Sequence, residues 1–148
     1  MTHSFEETRE IAVSAGMMFD VVMDIDAYPR FLPWVSGSRI LSSRDGELEA
    51  ELTTNLAGLH QSFSTIDRYI RPKLIEIRLR EGPFRVLDSL WTFEECGEKR
   101  CKVHFSIEFD FKSRLLSMVA TPVFSTACRQ MVHAFEQQAL IRQAQKRR

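Results

Sequence analysis

Residues 121–142 read TPVFSTACRQMVHAFEQQALIR, and their spacing decides the fold. Thr121 before Pro122 is a helix-start signal: an N-cap hydroxyl, then a residue whose missing N–H costs nothing in the first turn. Phe124, Ala127, Cys128, Met131, Val132, Phe135 and Ala139 recur at three- and four-residue steps and share one face. Arg129, Gln130, His133, Glu136 and Gln137 take the other. A helix of this length spans roughly 30 Å, about the width of a small domain. Its apolar face needs a broad partner.

Segments of period two supply that partner. In the clearest, Val103, Phe105, Ile107, Phe109 and Phe111 face one way, while His104, Ser106, Glu108, Asp110 and Lys112 face the other. Each large apolar side chain on that face contributes about 1.5–3 kcal/mol when buried, so the strand demands a cover. Upstream, Asp45-Gly46 is a hairpin signal, after which Glu47, Glu49 and Glu51 alternate with Leu48, Ala50 and Leu52. Ala57-Gly58 breaks that run, Gln61 to Ile70 forms the next, and Arg71-Pro72 ends it. Ile75, Ile77 and Leu79 alternate with charges, Glu81-Gly82-Pro83 turns the chain, and Phe84 to Glu94 returns.

Before this meander, Ser4 to Val13 reads as a first strand. Ser14 caps a short helix whose apolar face is Met18, Phe19, Val22 and Met23. Asp26 to Val35, with Pro29 and Pro33, is a short helical turn or loop. Ser113 to Ala120 is either a helical lead-in or the first turns of a kinked helix, since Pro122 leaves both open. The expected class is α+β. A curved antiparallel sheet of about six to seven strands wraps around the long C-terminal helix, with two short helices after the first strand. One helix across a concave sheet leaves a hollow, so this helix-grip carries an internal apolar cavity. With no repeat or linker, residues 1–148 are expected to form one domain.

The formal net charge is +0, so attraction of the whole molecule to nucleic acid or anionic membrane is not indicated. Such contact would come from a patch, such as the basic end Gln145-Lys146-Arg147-Arg148 with Arg142. No apolar run approaches the roughly 20 residues of a membrane span, and Met1 to Glu10 lacks a signal-peptide core. Three cysteines, an odd number, suggest free thiols in a reducing compartment. A soluble, cytoplasmic protein is expected.

Catalytic signals are weak. Cys96, Cys101 and His104 lack a local fourth ligand, so no metal site is expected. His133 and Glu136 read as a solvated helix face, and no nucleophile elbow, phosphate loop or dinucleotide fingerprint occurs. The aromatic excess is more informative. Phe31, Trp34, Phe63, Phe84, Trp91, Phe105, Phe109, Phe124 and Phe135 serve as core or as cavity wall. The aromatic, proline-rich stretch Tyr28 to Val35 packs over an opening or against a membrane.

Three separated motifs resemble one family. They are Tyr28-Pro29-Arg30-Phe31-Leu32-Pro33-Trp34; Glu81-Gly82-Pro83-Phe84-Arg85-x-Leu87 with Trp91-x-Phe93; and Phe109-x-Phe111-Lys112-Ser113 with Met131-Val132-x-Ala134-Phe135-Glu136. In this order they resemble the coenzyme Q-binding proteins, START-like domains of the polyketide-cyclase type. Val35 and Gln138 depart from residues common in that family, Cys and Arg. The resemblance implies a non-enzymatic protein that needs no cofactor. It implies ubiquinone, or a related isoprenoid lipid, as the bound ligand, delivered to respiratory or biosynthetic partners; peripheral contact with the inner face of the cytoplasmic membrane is expected separately, from the Tyr28 to Val35 stretch and the basic end. The same family includes bacterial ribosome-association toxins that bind the large ribosomal subunit, which is the alternative reading. For a quinone, Tyr28, Trp34, Trp91 and Arg85 are the expected donors at the mouth. Phe31, Leu32, Phe63, Phe84, Val86, Leu87, Phe109, Phe124, Met131 and Phe135 are the expected apolar walls.

Overall fold

The computed structural model describes residues 2–56 and 58–146. Ala57 of the expected Ala57-Gly58 break, and Arg147 and Arg148 of the basic end, lie outside the described residues. The chain begins with β1 (His3–Ile11), α1 (Ala15–Met23), a 3-10 turn (Ile25–Ala27) and α2 (Tyr28–Phe31). It continues through β2 (Val35–Arg44), β3 (Glu47–Leu56), β4 (Leu59–Ile70), β5 (Leu74–Glu81), β6 (Phe84–Gly97) and β7 (Arg100–Phe111), and ends in α3 (Arg114–Lys146). The strands form one antiparallel sheet in the order β1-β7-β6-β5-β4-β3-β2. This is the α+β helix-grip that the pattern predicts.

Local chemistry explains the joints. Ser14 Oγ accepts from the Met17 N–H at 3.1 Å and starts α1, as expected of an N-cap. Gly46 sits at φ +78° in the Asp45-Gly46 hairpin, where a side chain would be strained. The alternation in β7 holds: Cys101, Val103, Phe105, Ile107, Phe109 and Phe111 are buried. On the outer face of the sheet Glu47 meets Arg68 at 2.9 Å, Glu49 meets Arg80 at 3.2 Å, and Glu51 meets Arg39 at 2.9 Å.

Of the two expected readings of Ser113 to Ala120, the structure takes the second: residues 114–120 are the first turns of the long helix, and Thr121 is not its start. α3 has 33 residues, about 50 Å, and Thr121 and Pro122 lie inside it. Its entry is held by Ser113, whose Oγ accepts from the Leu116 N–H at 3.2 Å. Pro122 and Met118 are both exposed, so water can satisfy the carbonyl that the proline leaves unbonded. The expected apolar face is otherwise as drawn, with Met131 only partly buried. Glu136 and His133 do not simply face solvent. Arg9 of β1 donates to Glu136 Oε1 at 2.7 Å, and its Nη1 stands 3.5 Å from His133 Nδ1.

The turn into β6 is the tightest point of the frame. Gly82 lies at φ +152°, and a Cβ there would collide with Phe63 Cβ and stand 3.1 Å from Phe63 Cα. Gly82→Ala should therefore destabilise the fold by about 1–3 kcal/mol, read as a lowered urea midpoint. An unchanged midpoint would remove this contact as a constraint on the sheet.

Candidate functional site

Between α3 and the concave sheet lies a cavity of about 100 Å³. For scale, an apolar cavity of about 150 Å³ holds benzene, so this one has about two-thirds of that volume. Three layers enclose it. Ile25, Tyr28, Leu32 and Trp34 come from the short helices and the loop after them; Phe124, Met131 and Phe135 come from α3. The sheet supplies Phe63, Leu87 and Trp91 among others. Phe135 is the roof: its ring centroid is 5.3 Å from Trp91, 5.3 Å from Tyr28 and 5.4 Å from Phe31.

Of the residues expected to bind ligand, Tyr28, Leu32, Trp34, Phe63, Leu87, Trp91, Phe124, Met131 and Phe135 line this cavity. The others do not. Phe84 and Phe109 are buried beside it, Phe84 stacked on Phe111 at 4.7 Å and Phe109 against Phe124 at 4.6 Å. Phe31 packs behind the roof against Tyr28 and Phe135. Arg85 and Val86 are corrections. A bulge between Phe84 and Val86 turns this stretch outward, and Arg85 Nε donates to Asp110 Oδ2 at 2.7 Å outside the cavity. That pairing holds the Asp110 carboxyl below its usual range. Tyr28 is no free donor either, because its hydroxyl hydrogen goes to the Val22 carbonyl. Burial, with Asp67 and Asp24 nearby, pushes that phenol well above its ordinary value.

The floor has polar groups that were not anticipated. Leu48, Asp67, Ile77, Ser89, Ile107 and Phe5 stand directly opposite one another on successive strands, forming one row across the sheet. Asp67 is 4% exposed, and Thr65 Oγ1 donates to its Oδ1 at 2.7 Å. Burial pushes its carboxyl up to about 6, against the pull of that hydrogen bond. Ser89 is 8% exposed, and its Oγ finds no hydrogen-bond partner among the described residues. Alternation carried the signal: Phe63, Thr65 and Asp67, like Leu87, Ser89 and Trp91, fall on one face of a strand.

A surface groove of about 500 Å³ runs alongside, between Pro33, Trp34 and Asn55 on one wall and Pro122, Val123, Thr126, Ala127 and Gln130 of α3 on the other. Trp34 belongs to both hollows and separates them. The two buried thiols are not reactive groups. Burial pushes Cys101 and Cys128 up to about 12.

Residues 11–136 match the family described as polyketide cyclase / dehydrase and lipid transport. The chain belongs to that family. Among its members, the ribosome association toxin RatA of Pseudomonas aeruginosa is 35% identical over 139 residues, covering 94% of this chain and 96% of that protein. The coenzyme Q-binding protein COQ10 homolog B, mitochondrial, of Xenopus laevis is 30% identical, covering 91% of this chain and 57% of that protein. An 18 kDa protein of Caulobacter crescentus, solved in solution, superposes with a TM-score of 0.73 at 33% identity, covering 96% of this chain and 99% of that one. The Zhui aromatase/cyclase of Streptomyces shares the fold, with a TM-score of 0.82 at 18% identity and 96% of both chains covered.

Asp67 makes the stability of this polyketide cyclase-type domain depend on pH. Unfolded, the carboxyl ionises near about 4; folded, near about 6. Ionising it therefore opposes folding, and the penalty is absent below about pH 4, grows to about pH 6 and is constant above. Asp67→Asn should be more stable than the parent by about 1–3 kcal/mol at about pH 8, with the gain vanishing at about pH 3.5. Urea melts at the two pH values measure this, and a gain independent of pH would contradict it.

Proposed function

We propose that this chain is a non-enzymatic carrier, one lipid-binding domain over residues 1–148, that holds the ring of ubiquinone or a related isoprenoid quinone. The observation that carries this is the apolar, aromatic-lined cavity roofed by Phe135 and floored by Trp91 and Leu87, which holds part of a ring as it stands. The isoprenoid chain does not fit in about 100 Å³. In this reading it leaves past Trp34 into the groove along Pro122 to Gln130. Each CH₂ buried there contributes about 0.8 kcal/mol, so the chain adds affinity while the ring sets position. Ser89 has no base as a partner among the described residues, which favours holding a ligand over transforming it.

Delivery fits a stripe that continues from the groove. Leu115, Met118 and Val119, exposed by 74%, 76% and 42%, share a face of α3 with Pro122 and Val123, and Lys112 and Arg114 stand beside them. Exposed apolar residues with flanking cations suit an anionic bilayer surface. No helix among the described residues is long and apolar enough to cross a membrane. The reading therefore places the protein in the cytoplasm, touching the inner face of the membrane and handing quinone to respiratory or biosynthetic partners. Replacing Leu115 and Met118 together by Glu should abolish sedimentation with anionic vesicles while leaving the fold intact. Equal sedimentation would exclude this stripe.

A second reading, association with the large ribosomal subunit, is favoured by the 35% identity to the ribosome association toxin over nearly the whole chain. Mass spectrometry of an organic extract, from protein purified in its native host, separates the two. A stoichiometric quinone that survives high salt supports the carrier, and Ala50→Leu, which fills the cavity floor, should empty it. An empty extract, with the protein sedimenting on large subunits in a salt-sensitive manner, would replace the carrier by the ribosome reading.

A further inference from the structure

We propose that Ser89 and Asp67 form a head-group anchor on the cavity floor, and that they select a ring bearing a hydroxyl, such as a quinol or alkylphenol, over one bearing only carbonyl oxygens. The inference rests on the carrier reading above and adds the chemistry of the head. Ser89 Oγ is buried and unpartnered among the described residues. Its neighbours along the row are Ile77 and Ile107, and its neighbours on its own strand face are Leu87 and Trp91. None of these side chains provides an oxygen acceptor, so a ligand oxygen is the partner the site lacks.

Asp67 lies two strands away across Ile77, about 10 Å at the usual strand spacing. A ring lying over Ile77 with an oxygen at each end, and one hydrogen bond beyond each oxygen, bridges that distance. Thr65 occupies Oδ1 of Asp67 and leaves Oδ2 for the ligand. The surroundings fix which ligand group suits it. Tyr28 faces Asp67 from α2 as a neutral phenol, its hydrogen committed to Val22. Asp24, the next acid, is held by Arg142 at 2.6 Å. β3 and β5 present Leu48 and Ile77, and α3 presents Met131 and Phe135. Because Arg142 is committed to Asp24, an ionised Asp67 calls for a hydroxyl donor, whereas a carbonyl oxygen meets it as acceptor against acceptor. Ser89 donates or accepts and so tolerates either oxygen. As pH falls through about 6, Asp67 gains a proton and becomes a donor itself, and the preference fades.

The test uses full-length protein stripped of lipid, titrated calorimetrically and anaerobically with three probes sharing one short prenyl chain: a benzoquinone, its hydroquinone and the bare prenyl alcohol. At about pH 8 the hydroquinone should bind roughly three- to tenfold tighter than the quinone, the worth of one hydrogen bond. The gap should close at about pH 5. Asp67→Asn should erase the preference, since an amide both donates and accepts, and Ser89→Ala should weaken both rings by a similar factor. Both substitutions remove a buried polar burden, and an unchanged far-UV spectrum verifies folding. Equal binding of quinone and hydroquinone, a preference unaltered by Asp67→Asn, or affinities unmoved by Ser89→Ala would overturn the anchor. If the bare alcohol binds as tightly as either ring, the carrier survives and the anchor falls. Binding of none of the three overturns both.

Discussion

Phe135 and Phe124 of α3 pressed onto the concave sheet form the contact on which the rest depends. Phe135 touches Trp91 of the sheet and Tyr28 and Phe31 of α2, joining three layers through one ring. Phe124, eleven residues earlier, ties α3 to the sheet alone, meeting Phe84, Phe109 and Phe111. A helix is a cylinder and a twisted seven-stranded sheet is a trough of larger radius. Contact at two aromatic stations therefore leaves a gap between them. The cavity results from that mismatch, and its walls are apolar because the same residues drive the packing.

Much of this frame was legible in the chain. Alternation from Val103 to Phe111 and helical spacing from Phe124 to Ala139 each named the correct buried face. What failed did so for physical reasons. Thr121-Pro122 carries the local chemistry of a helix start, but the turns before it are held by continuity with α3. Their residues Leu115 and Met118 are exposed, so no buried periodicity marked them. Arg85 was misplaced because a bulge shifts which face a residue occupies, and a bulge leaves no mark in hydrophobic pattern. Asp67 and Ser89 were passed over because a polar residue on a half-buried strand normally points to water. Alternation with Phe63, Leu87 and Trp91 sets their face, and the register that lines up Leu48, Asp67, Ile77, Ser89, Ile107 and Phe5 joins them into one inward row.

The comparisons attach unlike names to one frame: a ribosome association toxin, a coenzyme Q-binding protein and, at the level of fold, an aromatase/cyclase. That spread is natural when the hollow comes from backbone geometry and its chemistry from a few floor residues. Here those few are a carboxyl pushed up to about 6 by burial, the threonine bonded to it on the same strand, and a serine hydroxyl without a partner among the described residues. The outer surfaces of α3 are separate from this floor.

β1, the first strand, pairs along its length with β7, from His3 opposite Phe109 to Ile11 opposite Cys101. Nearly a hundred residues separate these partners, so β1 joins the sheet only after β7 has emerged. High contact order of this kind slows folding and keeps intermediates open. A nascent chain ending before β7 would expose the greasy trough and an unpaired β6 edge, both prone to association. Emergence of β7 and α3 thus both joins β1 to the open sheet and covers the trough that would otherwise drive association.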